Sequence, residues 1–177
     1  ALKAEHKLTP DNVRKIRILT GERAVDQNSD TDPREPMNAQ YSLQYCAGVA
    51  IARDARDPEA YAERNLQDPG IRGVMRKVQL EVDAEMNALF PAHFAARVVV
   101  DTADGKSLER TVVDPKGTAS DPLGFEEVAA KFEKLAAPVK DPATIARIAA
   151  AARGLPGAAS LAELSSALRQ GSLAQAA

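Results

Sequence analysis

Alternating apolar and polar positions predict the strands of this chain. Val13 to Thr20 reads VRKIRILT, and this period of two is typical of a strand with one buried face. Lys77 to Val82 predicts a second strand. The segments Ala95 to Val100 and Leu108 to Val113 flank Asp104-Gly105, a dipeptide that favours a tight hairpin turn. The four segments together predict a small, mostly antiparallel sheet.

Helical spacing and capping residues predict the helices of the first part of the chain. The stretch from Asn38 to Arg53 contains the run Tyr45 to Ala52, whose apolar residues cover nearly the whole helical circumference, and such a helix should be buried on most sides. On that helix Tyr41 and Tyr45, four residues apart, would share one side and pack in the core. Asp57-Pro58 and Asp68-Pro69 each place a capping side chain before proline, so a short helix should follow each pair.

The C-terminal third is predicted to be helical. Ser120-Asp121-Pro122 should open a helix in which apolar residues recur at helical spacing. Beyond Pro138 the sequence is rich in alanine, leucine and isoleucine, and Asp141-Pro142 and Ser160 should each start a helix. We therefore expect an α+β unit over residues 1–137 and a helical tail over residues 138–177. The tail helices have little apolar surface of their own and should dock on another surface.

A polar loop is predicted between the first strand and the buried helix. Gly21 to Pro36 reads GERAVDQNSDTDPREP, and Pro33 and Pro36 are unsuited to a helix interior or a central strand. Long loops in compact domains are often functional. This loop is therefore the first place to look for ligand-binding side chains.

Composition excludes several classes of function. The 177 residues are 45% hydrophobic and carry a formal charge of −2, with no basic stripe for a phosphate backbone and only 4% aromatic residues for stacking bases. Nucleic acid is not an expected partner. Apolar runs are too short for a membrane span, which needs roughly 20 residues. One cysteine and two separated histidines, His6 and His93, form no metal pattern, and a reducing cytoplasmic setting is expected.

The N-terminus indicates a cut within a longer protein. It has no initiating methionine, no basic segment and no apolar segment of a signal peptide. Ala1 to Glu5 should be the last turn of a helix, followed by a turn at Pro10-Asp11. We expect an upstream domain in the native protein.

Three ordered segments resemble one known family. They are MNAQYSLQYCAGVAIARD (Met37 to Asp54), DPGIRGVMRKVQLEVD (Asp68 to Asp83) and DPKGTASDPLGFEEVAAKFEKLA (Asp114 to Ala136). All three are similar to the C-terminal lid domain of the MmgE/PrpD family. The last is the most specific, with its Pro-Lys-Gly turn and acidic helix. The resemblance covers residues 1 to about 137.

The resemblance implies a carboxylate-processing enzyme. The family includes 2-methylcitrate dehydratases, cis-aconitate decarboxylases and iminodisuccinate epimerases, which act on small di- and tricarboxylates without a metal or organic cofactor. Most acid and base groups of the family lie in an all-helical N-terminal domain, so no catalytic residue is expected here. A dehydratase-like lyase is the first expectation, and an epimerase or a decarboxylase is the alternative. The implied partners are the substrate, the helical domain and a second copy in a homodimer.

An anionic substrate favours cationic and hydrogen-bonding partners. The side chains predicted to bind it are Arg34, Gln40 and Ser42 from the loop region and Lys116 from the Pro-Lys-Gly turn. Arg34 could instead be solvated or pair with Asp32 or Glu35, and Lys116 could lie in a solvated turn. Some decarboxylase-like members carry a tyrosine in this loop where Gln27 stands here, which disfavours a strict cis-aconitate decarboxylase.

Other residues are expected to have structural roles. Cys46 lies inside the apolar run and should be a buried, inert thiol. His93 precedes a strand without an acid or base nearby in sequence and should be structural. Glu126, Glu127 and Lys131 should form a solvated helix face, with Glu127 and Lys131 as a pair. A non-enzymatic binding or assembly module is the remaining alternative for the whole chain.

Overall fold

Strand β1 (Val13–Thr20) forms with the predicted bounds and lies inside a four-stranded sheet. Strand β2 (Val78–Val82) runs parallel to β1 on one side. Strand β3 (Ala96–Thr102) is antiparallel to β1 on the other side, and β4 (Ser107–Val112) pairs antiparallel with β3. The order β2-β1-β3-β4 gives a mixed, mostly antiparallel sheet. The predicted sheet is therefore confirmed.

Helices precede, separate and follow the strands along the chain. The computed structural model describes residues 1–170. The α-helices of that range are α1 (Leu2–His6), α2 (Glu22–Gln27), α3 (Pro36–Tyr41), α4 (Leu43–Ala52), α5 (Pro69–Met75), α6 (Ala84–Ala88), α7 (Phe125–Ala136), α8 (Pro142–Gly154) and α9 (Ala162–Arg169). Short 3₁₀ turns cover Pro58–Tyr61, Glu63–Asn65 and Leu155–Gly157. The fold is α+β, as predicted, and none of the helices within residues 1–170 is long and apolar enough to span a bilayer.

Two compact units make up the chain. The first, Ala1–Pro115, contains the whole sheet and α1 to α6, and the second begins at Lys116 and contains α7, α8 and α9. The expected docking of the helical tail on an upstream domain stays a prediction. The last seven residues of the predicted tail lie outside the described residues.

Helix α4 is buried on two sides, which explains its apolar circumference. One core cluster joins it to the sheet through Ile51, which packs with Ile16, Ile18 and Val100. A second cluster lies against α5, where Tyr45 packs with buried side chains of that helix and of the 3₁₀ turns. A helix between two apolar layers needs apolar residues all round. The burial predicted for this segment is confirmed.

The helix predicted from Asn38 to Arg53 is in fact two helices. Ser42 adopts an extended conformation (φ −82°, ψ 113°) that ends α3, and its side chain caps α4 by accepting a hydrogen bond from Tyr45 N at 3.0 Å. The prediction that Tyr41 and Tyr45 share one side was wrong because of this break. Tyr41 is 63% exposed, whereas Tyr45 is fully buried. Serine hydrogen-bonds its own backbone neighbourhood and so competes with helix continuation.

Two other predicted boundaries differ from the structure. The stretch Gly21 to Pro36 contains α2, so only its second half is irregular. Helix α7 begins at Phe125 and not at Pro122, because Gly124 is the N-cap residue and its amide donates to the Glu127 carboxylate at 3.0 Å. The acidic residues of the first turn thus set this start.

The predicted caps and the hairpin are confirmed. The side chains of Asp57, Asp68 and Asp141 each accept hydrogen bonds from backbone amides of the turns that follow them. Gly105 has φ +85°, a left-handed conformation that glycine adopts without steric cost, between β3 and β4. Local sequence chemistry is enough to specify these features.

Replacing Tyr45 with phenylalanine should lower the free energy of unfolding by about 1–2 kcal/mol. The substitution removes a buried hydroxyl and leaves the carbonyl oxygens that accept its hydrogen bond without this donor. The hydroxyl donates to the carbonyl oxygens of Ala60 and Asn65 at 2.9 and 3.2 Å. Urea unfolding followed by circular dichroism measures the change. Tyr41→Phe is the matched control and should change stability by less than about 0.5 kcal/mol, since Tyr41 is exposed. Equal effects of the two variants would contradict this role.

Candidate functional site

Arg34 lies in an irregular segment between α2 and α3, residues 28–35, which we call the polar loop. Its side chain is 83% exposed, and its guanidinium donates through Nε and Nη2 to Asp32 Oδ2 at 3.1 and 3.0 Å. The structure therefore shows the alternative in which Arg34 pairs with Asp32. An exposed pair of this kind contributes about 0–1 kcal/mol and exchanges easily for another anion.

A buried arginine holds the polar loop against α5. Arg72 Nη2 donates to the Pro33 carbonyl at 2.5 Å, and Nη1 donates to Asp32 Oδ1 at 3.1 Å. Its Nε donates to the Leu66 carbonyl at 2.6 Å, and the guanidinium lies 5.7 Å from the centre of the Tyr45 ring. Two of these four contacts, those with Pro33 and Asp32, hold the loop next to Arg34, and the other two anchor the guanidinium itself.

The role of Arg72 was not predicted from the sequence. An arginine in a short helix reads as solvated, and its loop partners are 39 and 40 residues away along the chain. The sequence offers no signal for this contact, because only tertiary packing brings α5 beside the loop.

Ser42 and Gln40 occupy different environments. The Ser42 hydroxyl is buried, donates to the Asp30 carbonyl at 2.6 Å and caps α4, so it ties the end of the polar loop to that helix. Gln40 is exposed on α3. A contact of either side chain with a substrate stays a prediction, but Ser42 would have to give up a backbone partner to make one.

Lys116 lies in the second unit, while Arg34, Gln40 and Ser42 lie in the first. Lys116 lies in a turn with Gly117, whose φ of +101° is a left-handed conformation that glycine adopts without steric cost. Its ammonium lies 3.1 Å from Asp121 Oδ1 and 3.5 Å from Glu127 Oε2, and these carboxylates, Asp121 first, raise the pKa of Lys116. Lys116 is thus charged and half exposed. Glu127 pairs with this lysine and not with Lys131 as predicted.

A family model described as the MmgE/PrpD C-terminal domain matches residues 1–155. The chain belongs to the MmgE/PrpD family. The match confirms the resemblance and extends it past residue 137 through α8. Comparison with curated proteins gives no match.

The thiol of this MmgE/PrpD domain is a weak nucleophile. Cys46 is partly buried in α4, and burial raises the pKa of its thiol. The Sγ atom lies 3.5 and 3.7 Å from the carbonyl oxygens of Gln40 and Ala39, and a thiol so placed donates to them. A protonated thiol that contacts backbone carbonyls fits the inert role expected for it.

His93 has an acidic partner that its sequence neighbourhood does not show. Its Nδ1 lies 3.0 Å from Asp114 Oδ2 and 3.1 Å from Oδ1, and the Asp114 carboxylate is largely buried. Asp114 is 21 residues away in sequence, just after β4, and the pairing of β3 with β4 brings the two residues together. A histidine oriented by a carboxylate is typical of binding and proton-transfer sites, and the sequence alone gave no reason to expect it.

Proposed function

We propose that this chain is the substrate-covering domain of a dehydratase-like lyase that acts on small di- and tricarboxylates, with 2-methylcitrate as the model substrate. The observation that carries the proposal is membership of the MmgE/PrpD family over residues 1–155. The structural support is an exposed guanidinium on a loop that a buried arginine fixes in place. A cation that a fixed loop carries beside solvent suits an anionic substrate.

The shared use of Asp32 gives Arg34 a way to change partners. Asp32 contacts Arg34 through Oδ2 and Arg72 through Oδ1. When Arg34 swings to a substrate carboxylate, Asp32 keeps its bond to Arg72. Release of Arg34 therefore leaves no carboxylate without a cation, and the exchange costs little. The fork of the guanidinium then binds the substrate carboxylate in a bidentate manner.

The other predicted binding residues support the same role in different ways. Gln40 has an exposed amide that can donate to a carboxylate or a hydroxyl group. Ser42 positions the loop through its bond to Asp30 and supplies a hydroxyl next to it. Lys116, in the second unit, carries a positive charge that its own carboxylate neighbours maintain. A substrate with two or three carboxylates can use several such donors.

The acid and base groups of the reaction belong, in this proposal, to an N-terminal all-helical domain of the native protein. The present domain closes over the substrate and excludes water. Support for a docking partner comes from large apolar side chains left exposed in the second unit: Val128, Leu135, Val139, Leu161 and Leu168. The native enzyme would be cytoplasmic, would use neither a metal nor an organic cofactor, and would pair as a homodimer.

Arg34→Ala in the full-length enzyme should reduce kcat/KM for 2-methylcitrate by about 100-fold, which corresponds to losing roughly 3 kcal/mol of charged hydrogen bonding in the transition state. Steady-state kinetics of dehydration, followed by absorbance of the alkene product, measures it. The matched control is Arg56→Ala, since Arg56 is exposed outside the polar loop. Full activity of Arg34→Ala would remove this residue from the site.

Assays of the full-length enzyme with other substrates distinguish the alternative functions. Release of carbon dioxide from cis-aconitate would identify a decarboxylase, and interconversion of iminodisuccinate stereoisomers would identify an epimerase. The 177-residue chain alone should show no turnover and only weak citrate binding, because a lid lacks the other half of its site. Submicromolar citrate binding by this chain alone would instead support a non-enzymatic binding module.

A further inference from the structure

His93 lines a cleft of the first unit, and the polar loop begins at the same cleft. The cleft has a volume of about 260 Å³ and lies between α2, α6 and the ends of β1 and β3. Asn28, the first residue of the polar loop, is one of its lining residues. A substrate held at this end of the polar loop can therefore reach His93.

Asp114 fixes the ring of His93 from one side. Its carboxylate oxygens lie 3.0 and 3.1 Å from Nδ1, and the carboxylate is largely buried. An ionised carboxylate only accepts hydrogen bonds, so a neutral imidazole donates to it from Nδ1–H. The other ring nitrogen, Nε2, then carries a lone pair and no proton. Neutral His93 is thus a hydrogen-bond acceptor for a group that meets Nε2.

The walls of the cleft strengthen a hydrogen bond to this acceptor. Ile18, Met86 and Phe90 are apolar lining residues, and hydrogen bonds are stronger where apolar groups exclude water. Arg23 also lines the cleft, with its guanidinium 5.6 Å from the centre of the Phe90 ring. The cleft therefore combines a positive charge, which attracts anions, with a nitrogen that requires a donor.

Carboxylates do not satisfy such an acceptor. An ionised carboxylate has no hydrogen to donate, whereas a hydroxyl group has one. Among the proposed substrates, 2-methylcitrate carries a hydroxyl group and cis-aconitate carries none. An unprotonated Nε2 therefore distinguishes these two kinds of acid.

We propose that His93 is a specificity-determining residue that accepts a hydrogen bond from the hydroxyl group of a hydroxy acid. Asp114 is a positioning residue, because it fixes the tautomer and the plane of the ring. This inference rests on the proposed function, since it takes a carboxylate substrate at the polar loop as given. It adds recognition of the hydroxyl group and leaves the acid and base groups in the helical domain. A ligand without the hydroxyl leaves the acceptor unpaired and binds more weakly.

Citrate and tricarballylate are a matched pair of ligands for this test. They carry the same carboxylates, and only citrate has a hydroxyl group. Isothermal titration calorimetry of the full-length enzyme at pH 8, where histidine is neutral, should show citrate binding about 10-fold more tightly. Equal affinities would overturn the role of His93 and leave the proposed function standing. Binding of neither acid would overturn both proposals.

Variants separate recognition of the hydroxyl from general damage to the fold. His93→Ala should reduce the preference for citrate to less than about 2-fold, while the affinity for tricarballylate changes less than about 2-fold. His93→Gln keeps an acceptor oxygen and should retain a preference of about 3-fold. His6→Ala is the matched control and should keep the full preference, since His6 lies on α1 and lines a different cleft. A full preference in His93→Ala would overturn the proposal.

Nitrogen NMR of the isotopically labelled 177-residue chain tests the tautomer without any substitution. At pH 8 the Nδ1 atom of His93 should be protonated and the Nε2 atom unprotonated. Asp114→Asn should give a mixture of tautomers, because an amide both donates and accepts, and should lower the citrate preference of the full-length enzyme about 3-fold. An unprotonated Nδ1 in the unsubstituted chain would overturn the assignment of Nε2 as the acceptor.

Discussion

Replacing Arg72 with alanine is expected to lower the free energy of unfolding by about 3–5 kcal/mol, because a buried charged donor is removed and the buried Leu66 and Pro33 carbonyls lose their partner. The side chain is almost fully buried and donates to the Leu66 and Pro33 carbonyls and to Asp32. Without it, the polar loop loses the contacts that hold it against α5. The same variant in the full-length enzyme should therefore also lose activity through Arg34, which follows Pro33 directly.

Tyrosine fluorescence offers a specific readout for this prediction. All three tyrosines of the chain lie in the first unit, so urea unfolding followed by their emission reports on the unit that contains Arg72. Arg72→Lys should lose about 2 kcal/mol, since it keeps the charge but lacks the planar fork. Arg56→Ala should lose less than about 0.5 kcal/mol. A loss for Arg72→Ala as small as that of the control would show that the buried arginine does not hold the loop.

Gly48→Ala is expected to lower the free energy of unfolding by about 2 kcal/mol, although alanine is the better helix former by about 1 kcal/mol. A Cβ atom at Gly48 would lie 2.6 Å from the Ile71 carbonyl oxygen and 3.2 Å from Ile71 Cγ2. Real Cβ atoms do not approach a backbone oxygen so closely, so α4 and α5 would have to move apart. That movement would disturb both the core around Tyr45 and the position of Arg72.

Gly73 supplies the matched control for Gly48. It lies in α5, and a Cβ built there has no neighbour within 4 Å. Gly73→Ala should therefore raise the free energy of unfolding by up to about 1 kcal/mol through helix propensity alone. Opposite signs for the two variants, measured by the same urea titration, are the expected result. A gain in stability for both would mean that the two helices do not require the close approach at Gly48.

The features that sequence determined are those set by neighbouring residues. The strand at Val13–Thr20 follows from its alternation, and the hairpin from Asp104-Gly105. The caps at Asp57, Asp68 and Asp141 follow from a side chain that reaches an amide two or three residues on. Family membership was also predictable, because ordered local segments carry it.

The predictions that failed concern segments in which specific hydrogen bonds decide the structure against the local sequence pattern. Ser42 divided the segment from Asn38 to Arg53, which was predicted as one helix, since its hydroxyl donates to the Asp30 carbonyl and accepts from the Tyr45 amide. Helix α2 formed inside a stretch rich in turn residues, where the amide of its first residue, Glu22, donates to Asn87 Oδ1 at 2.9 Å. Periodicity does not report partners that are distant along the chain.

The sequence by itself determined the α+β class, the sheet strands and the family of this protein, because local spacing and turn chemistry specify them. Only the tertiary structure decided which side chains share a site. It placed Arg72 on the polar loop, joined His93 to Asp114 and put Arg23 beside Phe90. These contacts form because strand pairing and helix packing bring distant segments together, and no local pattern encodes which distant segments meet.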